Sequence, residues 1–180
     1  IALQAGLAKE SAALTVNRLC GSGLQAIVSA TQLLMLGDAS ITLAGGVEVM
    51  SNSAHIIQGF RWGTRMGDGN VHDMMLGALH DPFGHGHMGI TAENISDRYG
   101  ISRNSQDEFA LTSQKRASKA INDGLFKEQI LPIEIKTRKG VNIFEIDEHP
   151  KPETTLETLS NLGTAFKKEG VVTAGNASGI

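Results

Sequence analysis

The apolar run from Leu24 to Leu36 constrains the fold of this chain more than any other stretch. Its residues, Leu24-Gln-Ala-Ile-Val-Ser-Ala-Thr-Gln-Leu-Leu-Met-Leu, are apolar almost all round a helix, which is typical of a helix buried on several sides. Gly37 follows the run and suits the position after a helix C-terminus. The pattern therefore predicts a buried helix that begins near Cys20 and ends at Gly37.

Cys20 is the only cysteine in the 180 residues, and it stands where this helix is predicted to begin. The free N–H groups and the positive dipole end of a helix N-terminus favour a thiolate, which is the nucleophilic form of cysteine. Gly21 and Gly23 leave room for a substrate to reach the sulfur. A lone cysteine is also consistent with an inert core residue, and the local pattern leaves both interpretations open.

Two β-prone segments flank the predicted helix. Leu14-Thr-Val precedes Cys20, and Ser40-Ile-Thr-Leu-Ala-Gly-Gly follows Gly37. Strand, helix and strand in this order predict a right-handed βαβ unit with parallel strands. The cysteine would then lie at the carboxyl edge of the sheet, where open α/β folds place their sites.

Composition excludes several classes of function. The net charge of −3, with one Trp and one Tyr, gives neither the basic excess nor the stacking platforms of a nucleic-acid-binding protein. One cysteine rules out an intramolecular disulfide and fits a reducing compartment. No apolar run is expected to reach the roughly 18 residues of a membrane span.

The remainder of the chain changes from a glycine-rich middle to a charged, conventional module. The pattern predicts helices over 73–79, over 91–99, from Ser102 or Ser105 to Asn122, and over 155–162. Ser105 and Glu108 have the spacing of a capping box, and alternating residues in 130–137 and 141–146 predict a hairpin. A charged module inserted into a buried α/β domain explains this arrangement.

Histidines 72, 80, 85 and 87 are candidate metal ligands, but a glycine-rich loop without cysteines is a poor structural zinc site, so no metal is expected. Glu48 and Asn94 are either adjacent to a site or engaged in buried hydrogen bonds.

Several phrases, in one order along the chain, are similar to those of thiolases. Val16-Asn-Arg-Leu-Cys-Gly-Ser-Gly-Leu-Gln-Ala resembles the nucleophile region of that family. The further phrases are Gly37-Asp-Ala-Ser-Ile through Ala44-Gly-Gly-Val-Glu-Val-Met-Ser, His87-Met-Gly with Thr91-Ala-Glu-Asn, Ser102-Arg-Asn-Ser-Gln-Asp-Glu-Phe-Ala with Ser113-Gln, and Val172-Thr-Ala-Gly-Asn-Ala-Ser-Gly. The resemblance covers essentially the whole chain.

The resemblance implies an α/β thiolase fold, of which this chain would supply part of the N-terminal α/β half with an inserted α+β loop domain. Residues 1–50 would belong to the N-terminal domain that carries the nucleophile, 51–170 to the loop domain, and 171–180 to the return into the N-terminal domain. The C-terminal half would be absent, so the chain is expected to be an internal fragment of a longer protein.

The resemblance also implies an acetyl-CoA C-acetyltransferase. Such enzymes condense two acetyl-CoA to acetoacetyl-CoA and CoA by a ping-pong Claisen reaction, and catalyse the reverse thiolysis, with no permanently bound cofactor. Cys20 would be the catalytic nucleophile that carries the acyl group. The residues implied to bind coenzyme A are His87, Met88, Lys151, Ala174, Gly175, Ala177 and Ser178.

Two departures from the family pattern affect these expectations. Lys151 stands where relatives carry an arginine, which keeps the charge and loses the planar stacking surface at the nucleotide end of coenzyme A. The histidine and second cysteine that act as bases in the family are not in this sequence, so the 180 residues alone are expected to be inactive.

The alternatives are a thiolase-like CoA-binding protein without catalysis, a degradative 3-ketoacyl-CoA thiolase, and a relative that condenses acyl-carrier substrates. The family resemblance further implies a homotetramer or homodimer in the cytoplasm or an organelle matrix, with no membrane or nucleic-acid partner.

Overall fold

The computed structural model describes residues 1–179, which fall into two units with a boundary between Ala78 and Leu79. The first unit contains helix α1 (Ser22–Leu36), strands β1 (His55–Ile57) and β2 (Val71–Asp73), and helix α2 (Met74–Ala78). The second contains β3 (His80–Asp81), β4 (Gly86–His87), α3 (Met88–Tyr99), α4 (Arg103–Asn122), β5 (Ile133–Thr137), β6 (Gly140–Phe144) and α5 (Leu156–Ser160). Strands β1 and β2, β3 and β4, and β5 and β6 form three antiparallel ribbons.

Helix α1 has the predicted limits but not the predicted burial. Gly37 ends it in the left-handed conformation at φ 78°, and its N–H donates to the carbonyl oxygen of Leu34. No residue of α1 is buried, however, and Leu24 and Met35 are 69% and 81% exposed. The expectation of a buried helix is therefore wrong for this structure, because covering a helix that is apolar all round requires neighbours on several sides.

The predicted strands beside α1 are also missing. Segments 14–16 and 40–46 lie outside any strand, so the predicted parallel βαβ unit does not form among residues 1–179. A strand is stabilised by the ladder that it forms with a neighbour, and β-propensity alone does not supply one.

The prediction that no apolar run reaches the length of a membrane span is wrong as well. The 18-residue window Leu19–Leu36 is long and apolar enough by length and composition. The regular part of α1 is shorter, at 15 residues, or about 22 Å at the usual rise, against roughly 30 Å for a hydrocarbon core.

Most of the predicted local structure of the second unit is confirmed. Helix α3 ends at Tyr99, before Gly100 with φ 63°, and α4 ends at Asn122, as predicted. The predicted start of α3 at Thr91 is wrong, because the helix already begins at Met88 with His87 as its N-cap. The side chain of Ser102 caps α4 by accepting from the backbone N–H of Ser105, so the expected capping box of Ser105 and Glu108 is wrong. Strands β5 and β6 form the predicted hairpin, and Thr155 begins α5 with a capping box to Thr158.

The centre of the second unit is small and largely polar. Leu159 and Val172 are its buried apolar residues, and the buried polar ones are Glu93, Ser96, Asp107 and Thr173. Arg103 of α4 donates to the carbonyl oxygens of Leu159 and Leu162, which ties α4 to α5. The division into residues 1–50, 51–170 and 171–180 stays a prediction, and position 180 lies outside the described residues.

Candidate active site

Cys20 lies in a tight turn just before α1. It is a free, exposed thiol, and Gly21 is the N-cap of the helix that begins at Ser22. The backbone N–H groups of Gly21 and Ser22 donate to the carbonyl oxygens of Arg18 and Leu19 at 3.0 and 3.1 Å. Those N–H groups are therefore used within the turn, and the exposed cysteine directly precedes the helix.

Leu19 has a backbone conformation that is rare for its residue type. Its φ of 49° is the single positive value among the non-glycine residues described. Leucine in the left-handed region costs roughly 1–2 kcal/mol, so neighbouring contacts must hold it there. Ser22 Oγ donates to the Leu19 carbonyl at 2.7 Å and accepts from Arg18 N–H at 2.8 Å, and Asn17 Oδ1 accepts from Leu19 N–H at 3.0 Å.

The Ala44-Gly-Gly segment approaches the same turn. A Cβ placed on Gly46 would lie 3.5 Å from the Cα of Gly23, whereas a Cβ on Gly23 would meet nothing within 4 Å. A Cβ on Gly46 would therefore make only an ordinary van der Waals contact with the start of α1, while the side chain of Arg18 lies beside Gly21, 3.7 Å from where a Cβ would be.

His87 is fixed by its position at the start of α3. It is the N-cap, and its Nδ1 accepts from the N–H of Gly89 at 3.0 Å, which leaves Nε2 as the donor of a neutral imidazole. The ring stacks on Phe166 with centroids 4.8 Å apart and meets His80 edge-on at 5.2 Å. The sequence offered no signal for Phe166, which precedes a charged stretch.

Gly89 is required by this aromatic pair. A Cβ at that position would lie 2.3 Å from the Phe166 ring, which no ordinary contact allows. Met88, the first residue of α3, is about half-exposed, and its carbonyl accepts from Thr91 Oγ1.

The segment from Thr173 to Ser178 is a turn closed by its own side chains. Thr173 Oγ1 accepts from the N–H groups of Gly175 and Asn176, while Asn176 Oδ1 accepts from Thr173 N–H at 2.8 Å. The N–H of Ala177 donates to the Thr173 carbonyl at 3.0 Å. Gly175 faces α5, since a Cβ there would lie 2.6 Å from Leu159 of that helix and 2.5 Å from Leu162 just after it. Ala174 and Ser178 remain exposed at the two ends of the turn.

Lys151 belongs to a loop that lies against the end of this turn. A Cβ on Gly179 would lie 1.9 Å from His149 Cε1, so the residue after Ser178 is in close contact with the imidazole. The N–H of Lys151 donates to Gln114 Oε1 at 2.8 Å, and its carbonyl accepts from Thr154 Oγ1 at 2.7 Å.

The second unit links the predicted coenzyme A residues in series through a chain of contacts. Phe166 stacks on His87, and the adjacent Ala165 donates its N–H to the carbonyl of Val172 at 2.9 Å, immediately before the 173–178 turn. Gly179, the residue after this turn, contacts His149 in the loop of Lys151. Cys20 belongs to the first unit, which contains none of the other predicted site residues.

The pKa of Lys167, next to Phe166, is affected by nearby carboxylates. The pKa of Lys167 is raised above 10.5, chiefly because its ammonium donates a hydrogen bond to Asp97 and is attracted by that carboxylate. Glu93 and Glu169 raise it further, while desolvation lowers it. Lys167 is therefore a persistent positive charge beside Phe166.

Two other features of the described residues bear on the site. Within residues 1–179, no group of three or more His, Cys, Asp or Glu side chains is arranged to hold a metal ion. A groove of about 780 Å³ follows the face of α4 that carries Phe109, Thr112 and Arg116, and none of the predicted site residues lines it.

Comparison with known proteins identifies a single family. The family described as "Thiolase, N-terminal domain" matches residues 1–180. The chain is 54% identical to the beta-ketothiolase BktB of Cupriavidus necator, over 99% of this chain and 46% of that protein. It is 48% identical to the mitochondrial 3-ketoacyl-CoA thiolase of Rattus norvegicus, over 100% of this chain and 46% of that protein.

A solved structure gives the same result. The acetyl-CoA acetyltransferase from Syntrophomonas wolfei matches with a TM-score of 0.95 and 47% identity, over 99% of this chain and 45% of that one. The chain therefore spans about half the length of the curated relatives that it matches.

Proposed function

Because the chain belongs to the thiolase family, we propose that the protein is an acyltransferase whose acyl carrier is Cys20. Membership of this family also confirms the predicted α/β thiolase fold. The observation that carries the proposal is the exposed thiol of Cys20, held in a strained turn at the N-terminus of α1.

The first half of the reaction follows from this turn. The Cys20 thiol gives its proton to a base, and its sulfur attacks the carbonyl carbon of acetyl-CoA to form a carbon–sulfur bond. The tetrahedral oxyanion then collapses, the bond to the CoA sulfur breaks, and the CoA thiolate takes up the proton from the base. Donors for the oxyanion lower the barrier to this step. The N–H groups of Gly21 and Ser22 are engaged within the turn, so we assign one donor to the backbone N–H of Cys20 itself.

In the second half, a carbanion formed at the methyl carbon of another acetyl-CoA attacks the acyl-cysteine, which releases acetoacetyl-CoA and the thiol. This step needs a base that removes a proton from the second acetyl-CoA. The family resemblance places such bases, a histidine and a second cysteine, outside these 180 residues. Thiolysis is the same sequence in reverse.

The second unit supplies the proposed coenzyme A site. His87, Met88, Ala174, Gly175, Ala177 and Ser178 are proposed to contact the pantetheine arm, and Lys151 the phosphate end. The support for this is that these residues form one connected group through Phe166, Val172 and His149.

Acetoacetyl-CoA is the proposed substrate, and a longer 3-ketoacyl-CoA is the alternative. Relatives at similar identity are named for both activities, as acetyl-CoA acetyltransferase and as 3-ketoacyl-CoA thiolase. Thiolysis rates of acetoacetyl-CoA and of a long-chain 3-ketoacyl-CoA, measured side by side, decide between the two. The homotetramer or homodimer and the location in the cytoplasm or an organelle matrix stay predictions.

Acylation of Cys20 tests the proposed function directly. The full-length protein is mixed with acetyl-CoA, and the peptide that contains Cys20 is weighed by mass spectrometry, with the expected result of one added acetyl group. Cys20→Ala removes the nucleophile, so the adduct should vanish and turnover should fall on the order of 10³-fold or more.

Ser29→Ala serves as the control, since Ser29 is a nearby hydroxyl of α1 that accepts from Gln25 Nε2 and lies further from the turn. An unacylated cysteine, together with unchanged activity of Cys20→Ala, would favour the alternative of a CoA-binding protein without catalysis.

A further inference from the structure

Two carboxylates are almost fully buried in the second unit. Glu93 of α3 and Asp107 of α4 are each 1% exposed. Burying a charged carboxylate is costly unless hydrogen bonds or an ion pair compensate it. Asp107 has both, because it accepts from Arg103 Nε at 2.8 Å and from Asn176 Nδ2 at 2.9 Å.

Glu93 is compensated mainly by backbone N–H groups. The N–H of Val171 is shared between its two oxygens at 3.1 and 3.0 Å, and the N–H of Val172 donates to Oε1 at 2.9 Å. Hydrogen bonds to an ionised acceptor are about twice as strong as neutral ones. The carboxylate of Glu93 therefore fixes two consecutive peptide groups of a segment that lies 78 residues further along the chain.

The backbone next to this contact is shaped to admit the carboxylate. A Cβ on Gly170 would lie 2.1 Å from Glu93 Oε1 and 2.6 Å from its Cδ. Glycine at position 170 is thus required for the approach of Glu93, and any side chain there would displace the carboxylate.

The segment that Glu93 holds leads directly into the 173–178 turn. The carbonyl of Val172 also accepts from the N–H of Ala165, which is adjacent to Phe166. The contact of Glu93 with Val172 therefore connects Phe166, which stacks on His87, to the 173–178 turn. Asn176 fastens the far side of the turn to Asp107 and donates to the Val171 carbonyl at 3.0 Å.

We propose that Glu93 is a positioning residue for the acyl-CoA substrate: its carboxylate holds Val171 and Val172 so that the 173–178 turn is preformed when the pantetheine arm binds. The inference rests on the proposed function, because it gives this turn its ligand. A preformed turn spares the ordering cost that a mobile one would pay on binding. Loss of the contact should therefore weaken substrate binding more than the chemical step at Cys20.

Glu93→Gln in the full-length protein tests this role. Glutamine keeps the size of the side chain, but it presents an NH₂ group where the second carboxylate oxygen accepts a backbone N–H. We expect the KM for the CoA thioester to rise about tenfold with kcat within about twofold of wild type. Hydrogen exchange at the amides of Val171 and Val172 should rise with it.

Glu169→Gln is the matched control. It makes the same chemical change at an exposed glutamate in the same region, and it should leave KM and amide exchange at wild-type values. If Glu93→Gln does not fold, Gly170→Ala gives a second test, since it keeps the glutamate in the sequence but displaces its carboxylate from Val171 and Val172. It should raise KM and exchange in the same way.

A Glu93→Gln or Gly170→Ala protein with wild-type KM overturns the inference, and so does one in which kcat falls while KM is unchanged. Failure of the proposed function is recognised separately, as a wild-type protein that neither binds CoA nor becomes acylated. In that case the exchange measurement still decides whether Glu93 holds the turn.

Discussion

At the scale of single residues, the turn before α1 places a strained leucine next to the proposed nucleophile. Leu19 keeps a φ of 49° because Ser22 Oγ bridges its carbonyl and the N–H of Arg18. Strain of this kind persists where surrounding contacts over-determine the backbone, and it is common at functional sites. The position of the Cys20 sulfur therefore depends on the hydroxyl of Ser22.

Ser22→Ala should slow acylation of Cys20 without abolishing it. Both hydrogen bonds of the hydroxyl are lost, so Leu19 is freed to leave the left-handed region and Cys20 shifts with it. We expect a decrease of about three- to tenfold in the rate of acetyl transfer from acetyl-CoA, measured by rapid quench and mass spectrometry. The control is again Ser29→Ala, and equal rates for the two variants would contradict the role given to Ser22.

At the scale of elements, the C-terminal ends of helices were predicted well because capping is local. Gly37 and Gly100 adopt the left-handed conformation after α1 and α3, as a glycine at that position commonly does. Helix N-termini were predicted less well. Helix α3 begins at Met88 rather than at Thr91, and α4 is capped by Ser102, although Ser105 also carries a capping side chain.

Gly100→Ala should destabilise the second unit by about 1 kcal/mol. A Cβ there would meet nothing within 4 Å, so the cost comes from the φ of 63° alone. Gly163→Ala is the matched control, because its Cβ also meets nothing within 4 Å and its φ is not positive. The midpoints of urea unfolding should therefore separate the two variants, and equal midpoints would refute the argument from backbone conformation.

At the scale of the whole molecule, the two units differ in how much they bury. No residue of the first unit is buried, although it carries the most apolar stretch of the sequence. The second unit has a small centre that is held largely by polar contacts of Glu93, Asp107 and Thr173. Since burial of apolar surface is the main stabilising term in folding, contacts within residues 1–179 contribute less of this stabilisation to the first unit than to the second.

The 180-residue chain expressed alone should show this difference. Backbone amides of α1 should exchange with solvent much faster than those of α4, as followed by hydrogen exchange and mass spectrometry, because local opening is easiest where few apolar contacts are buried. The same preparation should not condense acetyl-CoA above background. Equal protection of the two helices, or measurable turnover, would contradict the expectation.

The sequence by itself determined what depends on neighbours along the chain. Side-chain periodicity and capping act within a few residues. They account for the limits of α1, the C-terminal ends of α3 and α4, the β5–β6 hairpin and the Thr155 cap. The identity of Cys20 as the candidate nucleophile also came from one short phrase, and the family assignment came from several.

Only the tertiary structure decided which distant residues meet. No local pattern encodes contacts between residues that are far apart in sequence. Examples are the hydrogen bonds of Glu93 with Val171 and Val172, the stacking of Phe166 on His87, and the contact of His149 with Gly179. The predicted strands at 14–16 and 40–46 did not form, and α1 is not buried, for the same reason. A strand or a buried helix is completed by partners from elsewhere in the fold, and residues 1–78 do not provide them.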